Sequence, residues 1–244
     1  MSALELSDDQ IAEVLRRGRL EVVGRMRYSS NGAFFVNASA EGAVVPAVYK
    51  PRRGERPLWD FPDGTLCQRE VAACVLSDAL GWGLVPVTVM RDDGPLGAGA
   101  IQRFVEHDPE EHYFTLLDGN EDRFRRFAVF DILANNTDRK GGHCLHDLAS
   151  DEIVGIDHGL TFHPQWKLRT VIWDFADEAV PAELLDDVTR FLADLEAGPA
   201  GAELADLLAP YELAALGVRA ADLLLDGHFP PLDPGYHSYP WPLV

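Results

Sequence analysis

The sequence changes character near residue 106, and that change limits the possible folds more than any other feature. Before it, short runs alternate apolar and polar residues at 20–28, 33–38 and 44–50, separated by Ser29-Ser30-Asn31-Gly32 and Glu41-Gly42. Period-two runs bounded by turn formers predict an antiparallel three-strand meander. A capping-box pair, Thr65 and Gln68, then opens a helix with Val71, Ala72, Val75, Leu76 and Ala79 on one face, ending at Gly81. Two more strands are predicted at 85–90 and 99–106. After Asp108-Pro109 the pattern becomes helical: a helix over 124–134, a short hairpin over 144–148 and 152–156, an amphipathic helix over 181–196, and two or three shorter acidic helices to about 226. A short helix with Ile11, Val14 and Leu15 on one face, capped by Ser7 and Gln10, precedes the first strand. The tail, 229–244, is rich in proline and aromatics and is expected to lie against the surface. The order predicts an α+β chain, β-rich over 1–106 and mainly helical over 107–244.

Charge narrows the function classes. The 244 residues carry a formal net charge of −19. Such a chain repels nucleic-acid phosphates and anionic lipid surfaces, so neither nucleic-acid binding nor standing membrane attachment is expected. No apolar run approaches the roughly 20 residues of a membrane helix, and the start of the sequence lacks the pattern of a secretory signal. The three cysteines, Cys67, Cys74 and Cys144, show no C-x-x-C spacing. A reducing cytoplasm fits them best. Of the 21 basic residues only Lys50, Lys140 and Lys167 are lysines. In an arginine-dominated chain, a lysine marks a place where a compact ammonium is wanted.

The densest chemistry lies in Asn135-Asn136-Thr137-Asp138-Arg139-Lys140-Gly141-Gly142-His143, after a helix and before the hairpin. On the hairpin's far side stands Gly155-Ile156-Asp157-His158-Gly159-Leu160. Helix, Asp-bearing loop, hairpin and Asp-x-Gly in that order put two carboxylates at adjacent loop ends, facing one cleft. Phosphoryl transfer uses such a pair: one carboxylate orients and deprotonates the attacking hydroxyl, the other holds a divalent ion against the phosphates. Either aspartate alone reads as a turn residue; the pair in matching context reads as function. Upstream, Lys50 closes the third strand and Glu70 lies beside the apolar face of the next helix, an order suited to a phosphate-binding lysine and its carboxylate partner. The turn Ser29–Gly32 is either a phosphate-covering nest or a plain hairpin turn. His143, His146, His158 and His163 match no zinc spacing, and no G-x-S-x-G elbow is present.

On these residues the chain resembles the phosphatidylinositol 3-/4-kinase-like superfamily, type II phosphatidylinositol 4-kinases most closely, and an actinobacterial group of small kinase-like proteins. The carrying stretches run in family order over about residues 24–165: Ser29 to Phe35, Ala47 to Pro51, Glu70, Leu84-Val85-Pro86, Gln102 to Glu106, Asn136 to Arg139 and Ile156 to Leu160. The resemblance implies a two-lobed protein-kinase-like fold, with lobes at 1–106 and 107–244 forming one catalytic domain and ATP between them. It implies that Ser30, Asn31 and Gly32 cover the phosphates, that Lys50 contacts them and is held by Glu70, and that Phe104 and Val105 meet the adenine. Asp138 becomes the catalytic base and Asp157 the principal ligand of Mg²⁺ or Mn²⁺. Where the family has a second metal-binding Asn, this chain has His143, a ligand better suited to manganese than to magnesium. The chain also lacks the cysteine-rich insertion through which eukaryotic type II enzymes are lipid-anchored. Lys140, Lys167 and Arg169 either receive an anionic acceptor or offset nearby carboxylates. The implied activity is transfer of the γ-phosphoryl of ATP to a hydroxyl of a small molecule, a lipid headgroup or a protein. A non-catalytic nucleotide-binding pseudokinase and AMP transfer on the same fold are the alternatives.

Overall fold

The computed structural model describes residues 6–26, 32–233, 235 and 237–244. Its first half is a five-stranded antiparallel sheet in the order β1-β2-β3-β5-β4. The strands are β1 (Arg19–Arg25), β2 (Phe34–Ala40), β3 (Ala43–Pro51), β4 (Thr88–Gly94) and β5 (Gly97–Arg103). Helix α1 (Asp8–Arg17) opens as predicted: Ser7 Oγ accepts the Gln10 N–H at 3.3 Å and Gln10 Oε1 accepts the Ser7 N–H at 2.9 Å. Its buried Ile11, Val14 and Leu15 pack onto Val36, Val45 and Ile101 of the sheet.

Helix α2 (Leu66–Ala79) joins the two halves. Cys67 and Val71 lie against Ala100 of β5, whereas Ala72, Ala73, Val75 and Leu76 enter the core of the helical half. The predicted capping box at Thr65 and Gln68 does not form. The Thr65 hydroxyl donates to Pro62 O at 2.7 Å, and the first amides of α2 are taken by Glu55, whose carboxylate accepts the Leu66 and Cys67 N–H groups at 3.2 and 2.8 Å. A full carboxylate at a helix N-terminus also complements the macrodipole, which a hydroxyl does not.

The β4–β5 hairpin is shifted from the sequence reading of 85–90 and 99–106. The Leu84 and Val85 amides donate to Ser77 Oγ instead of to a strand, and Pro86 has no amide to give. The hairpin turns tightly between Gly94 and Gly97, where a Cβ on Gly94 would stand 2.6 Å from the Tyr49 hydroxyl.

The helical half comprises a short α3 (Tyr113–Leu116) that periodicity did not reveal, α4 (Glu121–Ala134), the hairpin β6 (Cys144–Asp147) and β7 (Glu152–Gly155), α5 (Ala182–Ala197), α6 (Pro199–Leu207) and α7 (Pro210–Asp226). Its core gathers Phe124, Phe127 and Phe130 of α4 with Val188 and Phe191 of α5 and Leu216 and Leu223 of α7. Among the described residues, no helix is long and apolar enough to cross a membrane.

On the β6–β7 hairpin, the two ring nitrogens of His146 face Glu111 Oε2 at 3.0 Å and Asp151 Oδ1 at 2.8 Å. The Asp151 bond first, and then Glu111, raise the imidazole pKa. A histidine with a raised folded-state pKa stabilises the fold fully below its unfolded value, and that stability is lost as pH rises through the folded value. Because both carboxylates reach solvent, the effect is modest. His146→Gln is expected to lower Tm by roughly 2–4 °C near pH 6 and to leave it nearly unchanged near pH 9, measured by thermal scans across pH.

Candidate active site

The loop after α4 is built on a buried charge network. Asn135, at φ +47°, ends the helix in the left-handed region. Its amide Nδ2 donates to His163 O and Gln165 O, both at 2.7 Å, and Oδ1 accepts the Lys167 N–H. Asn136 donates to Asp131 Oδ1 at 2.9 Å, and its own Oδ1 accepts the Asp138 N–H at 3.0 Å. Asp138 is thereby aimed from a fixed backbone, and its carboxylate meets the Lys140 ammonium at 3.1 Å.

Arg139 is fully buried, and so is its partner Asp131 on α4. The guanidinium donates to Asp131 through Nε and Nη2 at 2.9–3.1 Å, to His158 Nε2 at 2.8 Å, and to the carbonyls of Ile156 and His143 at 3.3 and 3.4 Å. One side chain thus ties α4, the Asp138 loop and the Asp157 loop together. Gly155 makes room for it: a Cβ there would stand 2.7 Å from Phe127 and 3.1 Å from Arg139 Nη1. Neither Asp131 nor Arg139 was singled out as functional from sequence. The available signal was an acid at 131 on an otherwise apolar helix face, between Phe127, Phe130 and Leu133; a charge there needs a partner.

Across the cleft, Lys50 Nζ lies 2.5 Å from Glu70 Oε1 and 2.6 Å from Asp157 Oδ1. The other Glu70 oxygen accepts the His158 N–H at 3.0 Å, so one carboxylate positions both the lysine and the Asp157 loop. Asp157 sits at φ +63°, a strained backbone for a non-glycine residue. Its side chain lies among protein groups but keeps half of its surface, 52%, open to the cleft.

The electrostatics follow from this packing. Burial works against the charge on Lys50, but Asp157 and Glu70 together outweigh it and raise the ammonium above the ordinary lysine value. Lys50 in turn holds Asp157 well below the carboxylate range, so it stays an anion. Burial raises Asp138, with Lys140 opposing, which leaves a carboxylate more basic than an ordinary aspartate. Burial lowers His143 to about 4, so the imidazole is neutral at neutral pH.

The donor set suits a hard divalent ion shared with phosphates rather than a protein cage. Among the described residues no three His, Cys, Asp or Glu side chains converge, and magnesium is commonly held by one or two carboxylates plus phosphate oxygens. Asp157, held as an anion and half open to the cleft, is the side chain that could serve as such a ligand. His143 Nε2 lies 3.6 Å from Asp157 Oδ2, while its Nδ1 faces the Lys140 N–H at 3.4 Å. Ligation through Nε2 therefore requires the ring proton on Nδ1 and a turn of that amide.

The remaining expected residues divide. Ser30 and Asn31 lie outside the described residues. Gly32 lines the cleft, but its N–H donates to Gly54 O at 3.0 Å. Val105 packs with Leu145, Val154 and Ile156 in an apolar pad that reaches the Asp157 loop. Phe104 stacks edge-on against Phe35 at 5.0 Å, and its N–H goes to Pro46 O. The Lys167 ammonium is engaged by Asp60 Oδ2 at 2.8 Å and His163 Nε2 at 3.1 Å, 4.9 Å from the Trp59 ring. Arg169 stays near enough to Asp138 to lower its pKa.

The architecture is shared with known kinases. The Golgi casein kinase superposes with a TM-score of 0.59 at 13% identity, covering 89% of this chain and 74% of that one. Its structure with Mn/ADP bound gives 0.56 at 14% identity, over 97% and 80% of the two chains. The Helicobacter pylori proinflammatory kinase CtkA gives 0.54 at 13% identity, over 88% and 94%. At such identities the likeness fixes the fold, which is kinase-like and α+β; it does not single out the phosphatidylinositol-kinase type. No family model matches the sequence. In sequence, Protein Rv2133c of Mycobacterium tuberculosis (strain ATCC 25618 / H37Rv) is 40% identical over 275 residues, covering 98% of this chain and 97% of that protein. Related over nearly its whole length to that actinobacterial protein, the chain belongs to the Rv2133c family.

Proposed function

We propose that this chain is an ATP-dependent kinase that transfers the γ-phosphoryl group to a hydroxyl acceptor with Mg²⁺ or Mn²⁺. The observation that carries the reading is Lys50 bridging Glu70 and Asp157, at 2.5 and 2.6 Å, on a cleft that Asp138 also lines. That is the charge arrangement phosphoryl transfer needs: a cation for the phosphates, a carboxylate for the metal and a second carboxylate for the nucleophile. Superposition on a kinase whose structure holds Mn and ADP supports it.

In this reading residues 1–106 and 107–244 form two lobes of one catalytic domain. The Val105 pad receives the adenine, and the bound metal supplies charge neutralisation at the phosphates. Asp157 holds the metal, Asp138 accepts the hydroxyl proton, and Lys140 and Arg169 offset charge beside it. The sequence of Asn136 to Arg139 supports the phosphatidylinositol 3-/4-kinase-like type. Burial of all three unpaired cysteines supports a cytoplasmic setting.

Asp157→Asn is expected to abolish metal-dependent nucleotide binding, read as loss of the thermal shift given by ADP with manganese, and to remove transfer with it. His143, in place of the family's asparagine, favours one other reading, a nucleotide-binding pseudokinase. A nucleotide thermal shift with no ATP turnover in either metal establishes that reading instead. An acceptor that gains the mass of AMP rather than phosphate identifies the AMP-transfer alternative.

A further inference from the structure

Beside Asp138 the structure holds a chamber of about 270 Å³ on the α2 side of Lys50. Phe104 and Val105 are not among its walls; it shares Lys50 and Asp157 with the phosphate end of the cleft and extends from there away from the adenine pad. Its outer wall is the β3–α2 connection, residues 52–65, which contributes Glu55, Arg56 and Leu58; Leu66 and Leu160 complete the apolar side. From this chain's own geometry, and resting on the kinase reading above, we propose that this chamber is the acceptor site and that it takes a small neutral or cationic alcohol, such as a polyol or an amino alcohol.

Three observations lead there. The first is enclosure. The β3–α2 connection is clasped to the loop after Asp157 through Lys167 and Asp60 at 2.8 Å, and through Phe61, which stands edge-on to His163 at 5.4 Å with the Arg69 guanidinium 4.9 Å from its ring. Arg69 is itself anchored to Glu212 of α7 and to Thr161 O. Asp138 therefore looks into a pocket walled along its α2 side by the β3–α2 connection, which narrows the approach for an extended peptide.

The second is size. Small-molecule sites run from about 300 to 1,000 Å³, so this chamber suits a compact acceptor. The third is charge. Lys50 is bonded to both Glu70 and Asp157, and these three serve the phosphates and the metal, so the charged groups that face the acceptor are the carboxylates Glu55 and Asp138 and the cation Arg56. An acceptor bringing its own phosphate or carboxylate would add repulsion in a confined space; a neutral or cationic one does not. Lys167, the cation that might have welcomed an anion, serves the clasp. In the transfer itself the acceptor oxygen bonds to the γ-phosphorus, the bond to the β–γ bridging oxygen breaks, ADP leaves with that electron pair, and the hydroxyl proton passes to Asp138.

The test divides a bacterial extract into protein, small molecules retained by an anion exchanger, and small molecules that pass through. Each fraction is incubated with the protein, γ-labelled ATP and manganese. Label is expected in the unretained small molecules. It is expected to fall by about tenfold or more in Leu58→Trp and in Leu160→Trp, which narrow the chamber, while the ADP–manganese thermal shift persists. Label confined to protein or to the retained anions overturns the inference and leaves the kinase reading standing, as does wild-type labelling by both tryptophan variants. Label in no fraction overturns the kinase reading, and the inference falls with it.

Discussion

Asp138→Asn is expected to slow phosphoryl transfer by about 10²–10⁴-fold, the contribution typical of a positioned general base, with nucleotide binding retained. The asparagine keeps the size and the backbone bond to Asn136 but cannot take a proton from the acceptor. The fold depends little on the lost charge, because among the described residues the half-buried carboxylate makes one ion pair, with Lys140. The check is a single-turnover rate beside an ADP–manganese thermal shift. The wild-type pH profile adds a second reading. The base must be ionised, so the rate rises with pH through its pKa. Burial raises that pKa, so the acidic limb should lie above the ordinary aspartate value. Full activity in the asparagine variant would sink the assignment of Asp138.

Arg139→Met is expected to cost about 3–5 kcal/mol of stability, because it strands Asp131 as an uncompensated buried charge. For a chain of this length that is a fall in Tm of roughly 10 °C or more. The variant should also lose activity beyond what the unfolded fraction explains, since the guanidinium holds Ile156 O and His158 on the Asp157 side and His143 O on the Asp138 side. Arg139→Lys keeps the charge but cannot reach all four partners. It should recover most of the stability and little of the rate. Thermal scans and turnover measured on both variants separate the two contributions; equal recovery of both would reduce Arg139 to a purely structural part.

Much of this was legible in the sequence because local rules governed it. The period-two runs, the Ser7–Gln10 cap and the amphipathic stretch of α5 follow from neighbours a few residues apart. The juxtaposition of Asp138 with Asp157 was legible too, since a short hairpin leaves its ends little freedom. What escaped was long-range. Glu55 caps a helix that begins eleven residues later, displacing a capping box that looked complete at Thr65 and Gln68. The β4 boundary moved because Ser77, near the end of α2, takes the Leu84 and Val85 amides. Lys167 pairs with Asp60 across 107 residues, a contact no periodicity encodes. The sequence likewise offered three acceptor-side cations, and only the packing separates the clasp lysine from the two beside Asp138.

The Arg139 node has a consequence for local stability. The Arg139 amide donates to Arg169 O at 3.0 Å and the Val171 amide to Arg139 O at 3.1 Å, around a guanidinium with no exposed surface. Opening any of these bonds exposes an ion pair that only the intact core can satisfy, so these amides should exchange with solvent through global unfolding. The β3–α2 connection, held by a half-buried clasp, should exchange through small local openings. Asp138 and Asp157 then stand on the slowest-exchanging side of the cleft, and the β3–α2 wall is the fastest.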